Sequence, residues 1–559
     1  MIMSKDTTEA APSSDIALCL SGGGYRAAAY HLGTLTMLHE LGMLDRVKYL
    51  STASGGTIVA MKFVLSRSDN ERFEDFSAGF QKFMLENNVV KKALADITKM
   101  RFPTQKNDMS LIRAAAGIYE ENLTHKKTIK DLKEGAIETN KFVDLIFNVT
   151  EFRSGLGFRF RVSNNNRLVF GNNSYNITDR SIQDSIRLSD VVASSSCFPG
   201  AFEPMRFPDD FHIPDSERSK LPFGKNANGC RSLPLMDGGI FDNQGVSGLM
   251  STYEDREEKD DLPVIPFEFV LISDTTQKAD ILLEHKISER STGVSVNAAF
   301  QGSVLFLSAI FFCSLSLFGF AMANFQSVPI FQFVATEIVA LFSIAVSGTS
   351  LISLAYLRYI LRSPEILGCQ FPIWKLLQDL KIADIRSLFS TRLSSARVLL
   401  FNIFMKRIRD LNMKTVINAT NKTTRRNLLF GKNCFSLIYD IEANAEIEKL
   451  KKYDPDISVN TRMVRVSKAA GRVPTVLWLN EDQIKILVEC GRITTCHSLM
   501  RLVWEKWRKD NKDAKELDEN AAEEPKPSDP NSKFHEEYHV YKTKWLALGQ
   551  EKLPDILIA

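Results

Sequence analysis

The stretch Asp15–Gly33, DIALCLSGGGYRAAAYHLG, decides the fold. A short apolar run, Ile16–Leu20, meets three glycines, and an alanine-rich segment follows. The run has the length and composition of a buried strand, and Tyr25–Leu44 is apolar at Ala28, Leu32, Leu35 and Leu38, a helical period. Val47–Ser51 then reads as a second strand and Gly55–Leu65 as a second helix. A strand–helix–strand–helix opening predicts a parallel sheet with helices on its faces, an α/β fold. The glycine turn has two chemical readings. Gly22, Gly24 and Ala27 fit G-x-G-x-x-[G/A], the dinucleotide fingerprint, whose amides and helix N-terminus receive a pyrophosphate. That fingerprint also needs an acid at the end of the second strand. Here the strand ends in Ser-Thr-Ala-Ser, and Asp45 precedes it, so the nucleotide reading fails.

The second strand runs into YLSTASGGT, Tyr49–Thr57. Ser54, between a β run and a helical segment with Gly55 and Gly56 behind it, has the pattern of a nucleophile elbow, where small neighbours permit the tight turn. With Ser54 as nucleophile, the amides of Gly22, Gly23 and Gly24 become an oxyanion hole. A base is then required. None of the eight histidines lies in a turn suited to a triad, and His31 and His39 sit on the first helix as interior or surface residues. A carboxylate does stand in a glycine turn: Asp237 of LPLMDGGIFDNQG. A direct Ser–Asp dyad needs a partly desolvated site that raises the basicity of the carboxylate.

With these residues in hand, the chain resembles the patatin-like phospholipases, Ser–Asp dyad lipid acyl hydrolases. Four ordered pieces carry the resemblance: SGGGYRA, STASGGT, NVTEFRSGLGFRF, and LSDVVASSSCFPGAFEPM followed by LMDGGIFDN. It spans about residues 15–275, and Thr475–Thr495 is similar to a C-terminal helix of some bacterial members. The resemblance implies a parallel-sheet α/β hydrolase fold, attack by Ser54 on an acyl ester, proton transfer to Asp237, and no metal or cofactor. Arg26 stands where the cytosolic branch of the family carries a basic residue, which implies support for a substrate phosphate or the oxyanion. One position departs from the pattern: the elbow is usually G-x-S-x-G, and Thr52 replaces its first glycine. A β-branched residue there is expected to crowd the turn.

Two further segments set the organisation. Ser303–Asn324 runs 22 residues without a charge, and Ile330–Leu357 follows with Glu337 alone. Each is long enough to cross a hydrocarbon core of about 30 Å, so the pair reads as a transmembrane helical hairpin; buried core helices or a dimerisation hairpin are the alternative. Glu337 is then a polar contact within the helix pair or a carboxylate near the headgroups. Lys286, Arg290, Arg358 and Arg362 flank the hairpin, and the link between the runs has no basic residue. The positive-inside rule puts both soluble parts on the cytoplasmic side of the inner membrane. The expected organisation is a disordered 1–14, a catalytic domain at 15–289 and the hairpin at 290–363. A basic amphipathic helical insertion at 364–430 follows, lying on the membrane surface or on its own domain. Residues 431–509 complete the domain, with an acidic linker and tail at 510–559.

Composition narrows the rest. Eight cysteines occur singly with no C-x-x-C, which argues against a zinc site or a disulfide framework. The N-terminus has no apolar segment of signal-peptide type. A net charge of +3, with no basic block interleaved with aromatics, predicts no nucleic-acid partner. The expected partner is a membrane lipid substrate, and oligomeric state is left open. The leading expectation is a membrane-anchored serine lipid hydrolase of phospholipase or lysophospholipase type. The alternatives are a membrane scaffold disabled at Thr52, and an acyltransferase or thioesterase using the same dyad.

Overall fold

The computed structural model describes residues 15–552 except 100–109, 165–168, 173, 222–231, 260–266, 276–292, 325, 328, 364–372, 382–392, 394, 396–398, 420–432, 439–440, 442–449, 452–453, 458–459 and 518–523. The N-terminal 1–14 and most of the basic insertion therefore lie outside the described residues. The chain divides into two units, one of Met1–Ala279 with Phe404–Ala559 and one of Asp280–Ile403.

The first unit is built on one sheet. β1 (Ile16–Leu20), β2 (Val47–Ala53), β3 (Asp144–Glu151), β4 (Leu156–Ser163), β5 (Val169–Gly171) and β6 (Asn176–Ile177) come first, then β7 (Met205–Phe207), β8 (Leu233–Asp237), β9 (Phe269–Asp274) and β10 (Asn433–Leu437). The order is β10-β9-β1-β2-β3-β4-β5-β6, with β8 paired to β3 and to β7. The five strands β10, β9, β1, β2 and β3 are parallel neighbours. From β3 onward every pairing is antiparallel, so the sheet is mixed where the opening units predicted a parallel one. The reason is local: the β3–β4 connection turns at Phe152–Gly155 and brings the strand straight back, with no crossover helix to keep it parallel.

Helices α1 (Gly24–Glu40), α2 (Gly55–Ser68), α3 (Phe73–Glu86), α4 (Val89–Lys99), α5 (Leu111–Tyr119), α6 (Leu188–Ser195) and α7 (Val246–Lys259) belong to this unit. Successive side chains of a strand point to opposite faces. Ile16, Leu18 and Leu20 join one apolar cluster and Ala17 and Cys19 the other, so both faces of β1 are covered. The central strands therefore read as unbroken apolar runs, as buried parallel strands do. His31 of α1 lies inside this core, fully buried, with its two ring nitrogens bonded to Ser273 Oγ and Ser21 O at 2.8 Å each. Burial lowers its pKa to about 4.

The later part of the first unit adds α10 (Met405–Ala419), α11 (Thr461–Arg472), α12 (Glu481–Leu517) and α13 (His535–Gln550), while α8 (Val296–Ala323) and α9 (Ile330–Arg362) form the second unit. α12 crosses α1 at a glycine pair. A Cβ on Gly491 would stand 2.1 Å from Tyr30 O, and one on Gly33 2.0 Å from Val488 O. The described residues of the acidic segment 510–533 are held by the domain. Residues 510–517 continue the helix, Lys533 pairs with Asp510 at 3.1 Å, and Trp507 Nε1 donates to Glu524 O. Beyond it α13 docks through Trp545, 1 % exposed.

In the second unit α8 and α9 pack along one another. Both are long and apolar enough to cross a membrane by length and composition. Most of their large apolar side chains face outward, Phe331 at 82 % exposure and Leu305 at 71 % among them. Glu337 instead turns inward, with neither carboxylate oxygen hydrogen-bonded within the structure.

Candidate active site

One edge of β3 brings the two chemical groups together. β2 pairs with β3 up to Ala53 opposite Asn148, and then the chain leaves the sheet. β8 takes up the vacated edge at the next residue, with Asp237 opposite Val149. Ser54, one residue past the end of β2, thus meets the last residue of β8. Its Oγ donates to Asp237 Oδ2 at 2.6 Å. The other carboxylate oxygen accepts from Gly239 N at 2.7 Å, which fixes the plane of the group.

The backbone at Ser54 has φ 50° and ψ −118°, a conformation that L residues avoid. Strain of this kind costs on the order of 1–3 kcal/mol and persists only where the surroundings impose it. Here α2 begins at once behind the serine because Gly55 and Gly56 have no side chains. A Cβ on Gly55 would lie 2.1 Å from Gly24 O, and one on Gly56 2.3 Å from Leu20 O. The elbow and the glycine loop are therefore in backbone contact.

Asp237 is 3 % exposed. Desolvation raises its pKa from the usual carboxylate range to about 6, against the opposing pull of the Ser54 and Gly239 hydrogen bonds. A carboxylate so raised is a competent proton acceptor near neutral pH. The loop opposite differs from expectation at one of its three glycines. Gly22 N–H is not free, since it donates to Asn243 O at 2.8 Å. Among the described residues the N–H groups of Gly23 and Gly24 have no acceptor, and both stand at the N-terminus of α1, where negative charge is favoured.

Residues 18–250 match the family model of the patatin-like phospholipases. The chain carries a patatin-like phospholipase domain. Solved structures with some similarity include human GIVD cytosolic phospholipase A2, at 13% identity and TM-score 0.32, over 47% of this chain and 43% of that one. The same human protein in complex with methyl gamma-linolenyl fluorophosphonate inhibitor and terbium chloride aligns at 15% identity and TM-score 0.27, over 35% of this chain and 31% of that one. VipD from Legionella pneumophila aligns at 15% identity and TM-score 0.25, over 88% and 87%. This chain thus spans less than half the length of the human structures it matches. No curated protein sequence matched.

Within the patatin-like domain, Arg26 has another task than the one its position suggested. Its side chain is buried, with Nη2 donating to Thr275 O at 2.7 Å and Nη1 to Val473 O at 3.4 Å. Burial, with Arg409 nearby, lowers its pKa to about 9. The guanidinium ties the end of β9 to the chain ahead of α12, so it is a structural clasp rather than a hand extended to substrate.

Thr52 does not crowd the elbow; it is the outer member of a hydroxyl chain. Thr52 Oγ1 lies 2.9 Å from Thr57 Oγ1, which lies 2.8 Å from Ser195 Oγ. Ser195 Oγ also accepts Ser54 N–H at 3.1 Å and donates to Asn148 O at 2.7 Å. A hydroxyl has one proton to give. Because Asn148 O only accepts, Ser195 spends its proton there, so Thr57 donates to Ser195 and Thr52 donates to Thr57. The whole chain points at β3 and holds the strained serine by its amide.

These supporting residues were not among the sequence candidates. Ser195 lies in the ASSSC run, where nothing separates it from its two serine neighbours. Asn243, whose carbonyl occupies Gly22, is itself held from α10: with its amide oxygen toward Arg409, it accepts from Nη2 at 2.7 Å. Asn412 of the same helix donates to Asp242 Oδ1 at 3.0 Å. The loop after the aspartate is thus secured by a helix that arrives only after the second unit.

Proposed function

We propose that this chain hydrolyses acyl esters of membrane phospholipids or lysophospholipids through a Ser54–Asp237 dyad. In the first step Ser54 Oγ attacks the ester carbonyl carbon as Asp237 Oδ2 takes the hydroxyl proton, and the N–H groups of Gly23 and Gly24 bind the oxyanion. Collapse expels the alcohol, which leaves with the proton held by Asp237, and an acyl-Ser54 ester remains. Water then attacks that ester with Asp237 as base again, releasing the fatty acid and restoring Ser54. The observation that carries this reading is the 2.6 Å hydrogen bond from a strained, elbow-borne serine to a desolvated carboxylate. It favours an enzyme over a scaffold disabled at Thr52, because the Thr52 hydroxyl braces the elbow instead of deforming it.

The second unit supplies the location. α8 and α9 form a membrane hairpin whose outward apolar side chains face lipid, with the domain on the cytoplasmic face of the inner membrane. Anchoring there raises the effective concentration of lipid at the dyad. The test is lipid profiling and fluorophosphonate labelling of the full chain beside Ser54→Ala and Asp237→Asn. Both variants should insert into membranes, and both should lose hydrolysis, with labelling abolished in Ser54→Ala. Hydrolysis at the parental rate by either variant overturns the dyad, and transfer to an added alcohol instead of water would make the protein an acyltransferase.

A further inference from the structure

The second unit holds a feature that the hydrolytic reading leaves unused. Where α8 begins and α9 ends, the two helices line an open cleft of about 810 Å³. Its lining is sorted by depth. Arg358, Tyr359 and Arg362 come from the last turns of α9, while Val304 of α8 and Leu351 of α9 line it further into the apolar part of the pair. A phosphate at the basic end and an acyl chain along the apolar end would both find their own chemistry.

The basic end is built, not merely charged. The Arg358 guanidinium sits 5.0 Å from the ring centre of Phe300 and 5.2 Å from that of Trp374. Those two rings meet edge to face at 5.2 Å, and Trp374 is 4 % exposed. Stacking of this kind immobilises an arginine before any ligand arrives. Among the described residues its Nε is buried with no hydrogen-bond partner. Two cations, Arg358 and Arg362, line a cleft whose far wall is hydrocarbon. Basic recesses between membrane helices on the cytoplasmic side hold anionic headgroups.

We propose that this cleft is a binding site for one anionic phospholipid, separate from the dyad, with its phosphate on Arg358 and Arg362 and an acyl chain against Val304 and Leu351. The proposal rests on the membrane reading of the hairpin and not on the hydrolytic one. A planar guanidinium held against two rings that meet edge to face presents a fixed fork to a phosphate, which an ammonium at the same place does not. Replacing Arg358 by lysine therefore keeps the charge and removes the site, whereas attraction by surface potential alone is indifferent to the exchange.

The experiment uses the full chain with Ser54→Ala, so that the lipid is not consumed, reconstituted in phosphatidylcholine vesicles. Brominated-chain phosphatidylglycerol is added in steps, and quenching of Trp374 is read as the difference from a Trp374→Phe variant. Saturable quenching at low mole fraction is expected, with brominated phosphatidylcholine far weaker and inorganic phosphate unable to compete. Arg358→Lys and Arg362→Gln should each raise the half-saturating mole fraction about tenfold. Equal quenching by the two lipids, competition by inorganic phosphate, or an unchanged titration in Arg358→Lys overturns the site while leaving the hairpin standing. A chain that is extracted from the vesicles by alkaline carbonate overturns the hairpin and the site together. Neither result bears on the dyad.

Discussion

Ser195→Ala removes the hub of the hydroxyl chain and offers the sharpest test of how the elbow is held. The hydroxyl makes three hydrogen bonds, to Ser54 N, Thr57 Oγ1 and Asn148 O, in a position with no solvent exposure. At about 1 kcal/mol net per buried hydrogen bond, the variant loses on the order of 3 kcal/mol of stability. Its effect on rate has a separate origin. The backbone of Ser54 is held about 1–3 kcal/mol above a relaxed conformation, and the amide bond to Ser195 opposes that relaxation. If about 2 kcal/mol of positioning is lost from the transition state, labelling by a fluorophosphonate and kcat both fall roughly 30-fold, with KM little changed. Ser196→Ala is the control, since its hydroxyl bonds to Val192 O and Tyr119 Oη and does not touch the elbow. Denaturant unfolding and labelling rate are measured on both variants. A Ser195→Ala protein that loses the stability but labels at the parental rate refutes the positioning argument, and one that loses neither refutes the hydrogen-bond chain itself.

Four other outcomes follow from the geometry. Asp237 must be ionised to accept a proton, so kcat/KM should rise with pH through about 6 and then level off; a flat profile from pH 5 to 8 contradicts the assignment. The same group holds its proton more tightly folded than unfolded, so between about pH 4 and 6 the folded state binds more protons and stability falls as pH rises. Asp237→Asn should accordingly gain up to about 3 kcal/mol at pH 7 while losing activity, read by unfolding at pH 4 and pH 7. Gly491→Ala places a methyl group against Tyr30 O and forces α12 away from α1, at a cost of about 1–3 kcal/mol by the same unfolding measurement, whereas Gly79→Ala, in open space, should be neutral or stabilising. Arg26→Gln strands the carbonyls of Thr275 and Val473 and should lower Tm without a selective rise in KM; a large KM effect in a protein of parental Tm would return Arg26 to substrate binding.

What the sequence revealed divides by range. Ser54 and Asp237 were legible because each turn demands small residues beside the reactive one, a constraint written within a few positions. The α/β character was legible from the periodicities of Ile16–Leu20 and the helix after it. The mixed sheet was not, because its direction changes at a four-residue turn after β3 that resembles many others. Gly22 and Arg26 were misjudged for one shared reason. Their partners, Asn243 O for the first and Thr275 O and Val473 O for the second, lie more than 200 residues away in sequence. Bulk alone makes Thr52 look disruptive, whereas its hydroxyl meets Thr57 on α2, which in turn meets Ser195 at the end of α6. The way β2 and β8 share one edge of β3 depends on register between distant strands, which no local pattern records.

The interruption of the first unit has a consequence for the order in which the protein comes into being. β10 lies beside β9, and Val476 O receives the amide of Tyr25 directly after the glycine loop, yet both are made after the hairpin has left the ribosome. The nascent chain carries Ser54 and Asp237 early, with the loop that faces them unbacked and the loop after Asp237 not yet held by α10. On the membrane reading, the hairpin is delivered to the bilayer before the residues that complete the catalytic frame exist. If the proposed hydrolase reading also holds, synthesis order delays completion of the catalytic frame until the hairpin is in place, with no propeptide and no cleavage.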